Sequence, residues 1–123
     1  MLNIYTSYFA KLKYLPNTIV PIAICAKSPD WYHGLEFKAL APKYDFFTKW
    51  KSTGDNEYYK KCYNEQVLDN LSCYCVVDKL VQMSGGKDIA LICYEKPGDF
   101  CHRHLVSKWL NAYKFECSEY EFD

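Results

Sequence analysis

Cys101, His102, Arg103 and His104 are consecutive, and they bring a thiol, two imidazoles and a guanidinium into one turn of chain. A thiol can attack or ligate, an imidazole can move a proton, and a guanidinium can hold an anion through two parallel hydrogen bonds. The residues ahead of them indicate where that turn lies. Ile89 to Cys93 is an unbroken apolar run, which suits a strand covered on both faces in a parallel sheet. Regular structure should stop between Glu95 and Asp99, because Pro97 has no N–H and Gly98 accepts unusual dihedrals. Asp99 is placed to cap the next helix. Beyond it, Leu105, Val106, Trp109, Leu110 and Tyr113 form a helical stripe. The stretch therefore predicts strand, loop and helix, with Cys101 where the helix begins.

The helical phase turns His102 towards the sheet and His104 outward, beside Ser107, Lys108 and Asn111. Unpaired N–H groups and a partial positive charge at a helix N-terminus favour a phosphate, a carboxylate or a thiolate. Cys101 there, next to Arg103, is placed for a lowered thiol pKa and for the greatest reactivity among the cysteines, with Arg103 as the anion binder. Taken singly, each residue reads as structural: a small buried thiol, a hydrogen-bonded core histidine, an ion-pairing arginine. Together, after a parallel-type strand, they point to a ligand or catalytic site. Ligands in such sheets bind at the carboxyl ends of the strands, which brings Thr6, Ser7, Cys25 and Cys93 to the same rim. The candidates for catalysis are Cys101, His102 and Glu95. Those for ligand binding are Arg103, Thr6, Ser7, Tyr8, Cys93 and Lys96.

The elements that must position this site can be read in order. Leu2 to Thr6 predicts a first strand. Ile19 to Cys25 predicts a second, with Pro21 marking an edge or a later start. The Trp31-Tyr32-His33 cluster fits a pocket wall or a core cap equally. A helix is expected from Pro42 to Lys51, with Phe46, Phe47 and Trp50 at helical spacing. Another is expected after Asp55, and a third capped by Ser72 and ended by Gly85-Gly86. An edge strand is expected at Lys114 to Cys117. The expected fold is a small three-layer α/β domain over residues 1–123, with a short, mostly parallel central sheet and helices on both faces.

Composition sets further bounds. The chain has 123 residues, 50% hydrophobic and 18% aromatic, which allows one sizeable core and excludes disorder. A formal net charge of zero lacks the basic excess that advertises nucleic acid. Lys11 and Lys13 interrupt any signal peptide, and no apolar run approaches the ~18 residues of a membrane span. A cytoplasmic location is therefore expected. The seven cysteines, an odd count, argue for reduced thiols over a disulfide framework.

Leu91-Ile92-Cys93-Tyr94-Glu95-Lys96-Pro97, followed by Phe100-Cys101-His102-Arg103-His104-Leu105-Val106, resembles the signature of the domain-of-unknown-function 488 family. Ile4 to Tyr8, Leu40-Ala41-Pro42 and Tyr59 to Tyr63 add weaker matches across nearly the whole chain. The resemblance implies a small α/β domain with the Cys-His-Arg block at the strand ends, and no established activity. Relatives carry a Gly-His pair after the first strand; here Ser7-Tyr8 stands in that place, so no histidine role carries over.

Three functional classes fit these residues. The first is an enzyme acting on a phosphate-bearing or nucleotide-like ligand. Cys101 and Arg103 are too close for a tyrosine-phosphatase loop, and neither a Walker loop nor G-x-G-x-x-G is present. The second is a non-catalytic module that binds a nucleotide or nucleic acid by stacking on aromatics. The third is a metal site from Cys25, Cys93, Cys101 and His102, which no CxxC or HxxxH spacing supports. The sequence names no cofactor.

Overall fold

The structure, a computed structural model, describes residues 2–123. Five strands, β1 (Ile4–Tyr8), β2 (Ile19–Ala23), β3 (Leu35–Glu36), β4 (Asp88–Cys93) and β5 (Cys117–Glu119), alternate unevenly with four α-helices: α1 (Tyr44–Thr53), α2 (Asn56–Gln66), α3 (Cys73–Ser84) and α4 (His102–Ala112). They form one sheet in the order β3-β2-β4-β1-β5. Every pairing is parallel. The apolar run that stood out in the sequence is the central strand. β4 pairs with β1 from Ile89 to Cys93 on one side, and with β2 from Asp88 to Ile92 on the other. A strand in that position is buried on both faces, so it has no polar alternation to show.

Side chains of β4 alternate between two cores. Ile89, Leu91 and Cys93 face the helices, where Phe46, Tyr59, Tyr63, Val76, Leu80, Val106 and Leu110 close the larger core. Ala90 and Ile92 face the opposite side, where Phe9, Ile19 and Ala23 meet Leu12, Leu15 and Tyr32. The fold is α/β as expected, with a thin third layer: a 3-10 segment, Phe9–Tyr14, takes the place of an α-helix on that face. Only residues 9–18 separate β1 from β2, too few for a full crossover helix. Trp31 and Tyr32 pack around Phe9 in this layer, as a core cap.

Local rules explain most element ends. Asp55 accepts from the Tyr58 N–H at 3.1 Å and Ser72 from the Cys75 N–H at 3.3 Å, each capping its helix. Gly85 ends α3 at φ 67°, a conformation that costs glycine little. Pro21 pairs with Ala90, but β3 flanks only Ile22 and Ala23, so the sheet is still open outside Pro21. β1 lies two residues later than Leu2 to Thr6. β5 follows Lys114 to Cys117 because Lys114 takes a left-handed turn (φ 71°) on leaving α4. Asp99 does not cap α4. Phe100 is wedged against Trp50 and Tyr59, with ring centroids 5.5 and 5.0 Å away, and this holds the chain extended through Cys101, which becomes the N-cap residue.

Tyr63 supports the floor of the larger core. It is fully buried, and its hydroxyl donates to the Leu40 carbonyl at 2.6 Å. Tyr63→Phe removes the donor but not the ring, leaving a buried carbonyl unpaired. It should cost about 1–2 kcal/mol in urea unfolding, and a change under about 0.3 kcal/mol would show that water replaces the hydroxyl. Among the described residues, no helix is long and apolar enough to cross a membrane.

Candidate functional site

Chain connections fix the site's position. From β2 the chain goes outward to β3, and from β4 it goes the other way, over β1, to β5. The carboxyl ends of β2 and β4 therefore diverge, and the crevice between them is the usual ligand position in a parallel α/β sheet. A cleft of ≈ 460 Å³ opens there, lined by Cys25, Cys93, Glu95, Cys101 and His102, with Lys27 and Lys51 among its polar residues. That volume is of the size that takes a small-molecule ligand. Its apolar wall is aromatic. Trp50, Tyr59 and Phe100 pack against one another, and Trp50 is fixed by its indole N–H donating to Asn56 Oδ1 at 2.7 Å. The rim loops are tied together where the Tyr94 hydroxyl donates to the Lys27 carbonyl at 2.5 Å.

The thiols and the imidazole meet on the cleft floor. Cys93 ends β4, and its sulfur lies 3.5 Å from His102 Nε2. His102 is buried as the helical phase predicted, while His104 is half-exposed. His102 Nε2 is 2.7 Å from the Ile24 carbonyl oxygen. A carbonyl can only accept, so Nε2 carries the proton. Tyr63 packs on the ring with centroids 5.4 Å apart.

Electrostatics separate the two cysteines. The Cys101 thiol is drawn below its ordinary value chiefly by the neighbouring Cys93 thiol. The Arg103 backbone N–H adds to this, and the lowering outweighs burial. Cys93 moves the opposite way: burial first, then the negative charge of Cys101, pushes it well up. The two thiols are coupled and titrate as a pair. Glu95, half-buried at the cleft wall, is raised by burial and then by the Cys101 charge.

Arg103 is placed differently from the expectation that it grips a ligand anion. It is 0% exposed and does not line the cleft. Its Nε and Nη2 each donate to Glu119, both at 3.0 Å, and Nη1 donates to the Glu95 carbonyl at 2.5 Å. Its guanidinium lies over the Tyr8 ring, 5.5 Å from the centroid. The fork that would suit a phosphate holds a carboxylate of this chain. Burial lowers the arginine pKa, but the Glu119 bonds and nearby negative charge outweigh it and keep the group charged.

Thr6 is buried, and its hydroxyl donates to Glu119 Oε1 at 2.6 Å. It therefore supports the arginine and does not reach the cleft. Ser7 is buried with its hydroxyl unpaired, and by strand alternation it faces the other layer with Tyr5. Lys96 is exposed outside the cleft. Of the sequence-derived set, the cleft gathers Cys93, Glu95, Cys101 and His102. Sequence reasoning missed the aromatic wall, Lys27, Lys51 and Glu119. The spacing of Phe47 and Trp50 signals a helix stripe and not a cleft, and Glu119 lies past the expected last strand.

These features define a small parallel α/β protein with a cysteine-histidine cluster at a strand-to-helix turn. The chain belongs to the DUF488 family: a family model described as "Active DUF488-N3 subclade" matches residues 13–114. No curated protein and no solved structure matches it.

Proposed function

We propose that the chain is a thiol-dependent enzyme acting on a small, planar, phosphate-bearing ligand of nucleotide type. One observation carries this reading: Cys101 stands at the N-terminus of α4 and lines an aromatic-walled cleft together with Cys93, Glu95 and His102. The aromatic wall offers Trp50, Tyr59 and Phe100 to a planar ring. Lys27 and Lys51 are the cations that would meet a phosphate, in place of Arg103. The description of the matching family model as an active subclade agrees with catalysis.

The chemistry follows from the proton positions. The Cys101 thiolate attacks an electrophilic carbon of the ligand, and a C–S bond forms as the bond to the leaving group breaks. Glu95, whose pKa is raised by burial and then by the Cys101 charge, gives a proton to the leaving group. Water then attacks the same carbon, Glu95 takes the proton back, and the C–S bond breaks to restore the thiolate.

Glu95→Gln keeps shape but can neither give nor take a proton, so it should slow both halves. Wild-type protein incubated with a mixture of nucleoside monophosphates and their sugar-phosphate precursors and quenched in acid should carry added mass on the Cys101 peptide, while Glu95→Gln gains less and Cys101→Ser gains none. Lys27→Ala with Lys51→Ala should weaken protection of Cys101 by nucleoside monophosphates against iodoacetamide by about tenfold. Protection without any adduct or turnover would leave a binding module. If no nucleoside monophosphate protects Cys101, the nucleotide assignment is wrong.

A further inference from the structure

The ligating atoms of Cys93, Cys101 and His102 all lie within 4.8 Å of one another, and the three residues are buried. Their sequence spacing hides the cluster, because Cys93 comes from the end of β4 and the other two from the first turn of α4. With the Nε2 proton directed at the Ile24 carbonyl, His102 Nδ1 is the nitrogen with a free lone pair. Nδ1 stands 3.9 Å from Cys93 Sγ. In a tetrahedral site, with a metal–sulfur bond of about 2.3 Å and a metal–nitrogen bond of about 2.0 Å, sulfur and nitrogen ligands are about 3.5 Å apart. Sγ is nearer Nε2 than Nδ1, so binding requires the Cys93 side chain to swing its sulfur towards the Nδ1 lone-pair axis. Sγ also lies 3.5 Å from Nε2, but the shorter Ile24 contact keeps that nitrogen's proton. A ligating histidine commonly gives its other N–H to a backbone carbonyl, which fixes the ring and the tautomer.

We propose that Cys93 Sγ, Cys101 Sγ and His102 Nδ1 bind one thiophilic divalent ion of the zinc class, leaving the fourth position open to the cleft, and that occupancy blocks Cys101. Two thiolates and an imidazole select such an ion against magnesium or calcium, which prefer oxygen. The metal site shares Cys101 with the proposed function but rests on ligand geometry and does not need catalysis.

The test uses the full chain, freed of metal with a chelator and titrated with Cd²⁺. A thiolate-to-cadmium charge-transfer band in the ultraviolet should saturate at one equivalent, and Zn²⁺ should displace it. The band should vanish in Cys93→Ser and in Cys101→Ser, each shown to be folded by circular dichroism, and persist in Cys25→Ser and Cys75→Ser. Zn²⁺ should slow iodoacetamide labelling of Cys101 by at least about tenfold. No saturable band, or a band that survives Cys93→Ser, overturns the proposal. The two readings fail separately. Labelling of metal-free Cys101 without a cadmium band removes the metal and leaves the nucleophile. A cadmium band with no labelling of metal-free Cys101 does the reverse.

Discussion

Arg103→Ala should destabilise the protein by about 3 kcal/mol in urea unfolding, at the lower end of what breaking a buried ion pair costs. The wild-type guanidinium is 0% exposed and makes three hydrogen bonds, two to Glu119 and one to the Glu95 carbonyl. Removing it leaves the Glu119 carboxylate with only the Thr6 hydroxyl at 2.6 Å. The cost stays at the lower end because the Glu119 side chain is 24% exposed, so water can partly replace the arginine. A void is left as well, since Arg103 is among the largest fully buried side chains. The thermal midpoint should fall by roughly 10–20 °C. The double variant Arg103→Met, Glu119→Leu, with both charges replaced by apolar groups, should recover most of the loss. That recovery separates the penalty of an orphaned carboxylate from a loss of packing. A change below about 0.5 kcal/mol for Arg103→Ala would show that this pair holds nothing together.

The contrast between His102 and Arg103 shows what a sequence can and cannot convey. His102 lies one helical turn before Val106, on a stripe whose phase is set by five apolar residues, so its burial was legible. Arg103 is one residue further on, about 100° around the helix, and nothing local says whether that direction meets solvent or chain. What it meets is Glu119 on β5, and the distance in sequence hides the partner. β4 was legible because a strand buried on both faces cannot hide its composition. A helical turn after the first strand, across Ser7 to Lys13, was legible and is the 3-10 segment at Phe9–Tyr14; that it stands in for a crossover helix was not, because this follows from how few residues join β1 to β2, which matters only once β4 is known to lie between them. The cleft was half legible. Cys93, Glu95, Cys101 and His102 come from one stretch of chain, whereas Trp50, Tyr59 and Lys51 come from α1 and α2 and join it only through tertiary packing.

Iodoacetamide labelling of Cys101 in the metal-free protein should be nearly independent of pH between 6 and 8. The rate for a small-molecule thiol of ordinary pKa, about 8.5, should fall by nearly a hundredfold from the upper to the lower end of that interval. The expectation follows from the lowered Cys101 pKa, whose causes are the neighbouring Cys93 thiol and the first-turn N–H. Its absolute rate need not be the highest at pH 8. Low basicity reduces the nucleophilicity of each thiolate, and Cys101 is 4% exposed whereas Cys75 is on the surface. The expectation that Cys101 outruns every other cysteine therefore holds only towards acid pH, where thiols of ordinary pKa have protonated. Stability follows the same proton. Cys101 has a depressed pKa in the folded chain, so its contribution is complete above the unfolded value of 9.0 and is lost as pH falls towards the folded one. Within that window unfolding takes up a proton, and stability should rise by up to about 1.4 kcal/mol per pH unit. Glu95, raised by burial, opposes this only from its ordinary value of 4.5 up to its folded pKa. Cys101→Ser should therefore flatten the rise in thermal midpoint between pH 6 and 8. A labelling rate that climbs tenfold per pH unit, with an unchanged midpoint slope in Cys101→Ser, would make Cys101 an ordinary buried thiol and leave the cleft without its nucleophile.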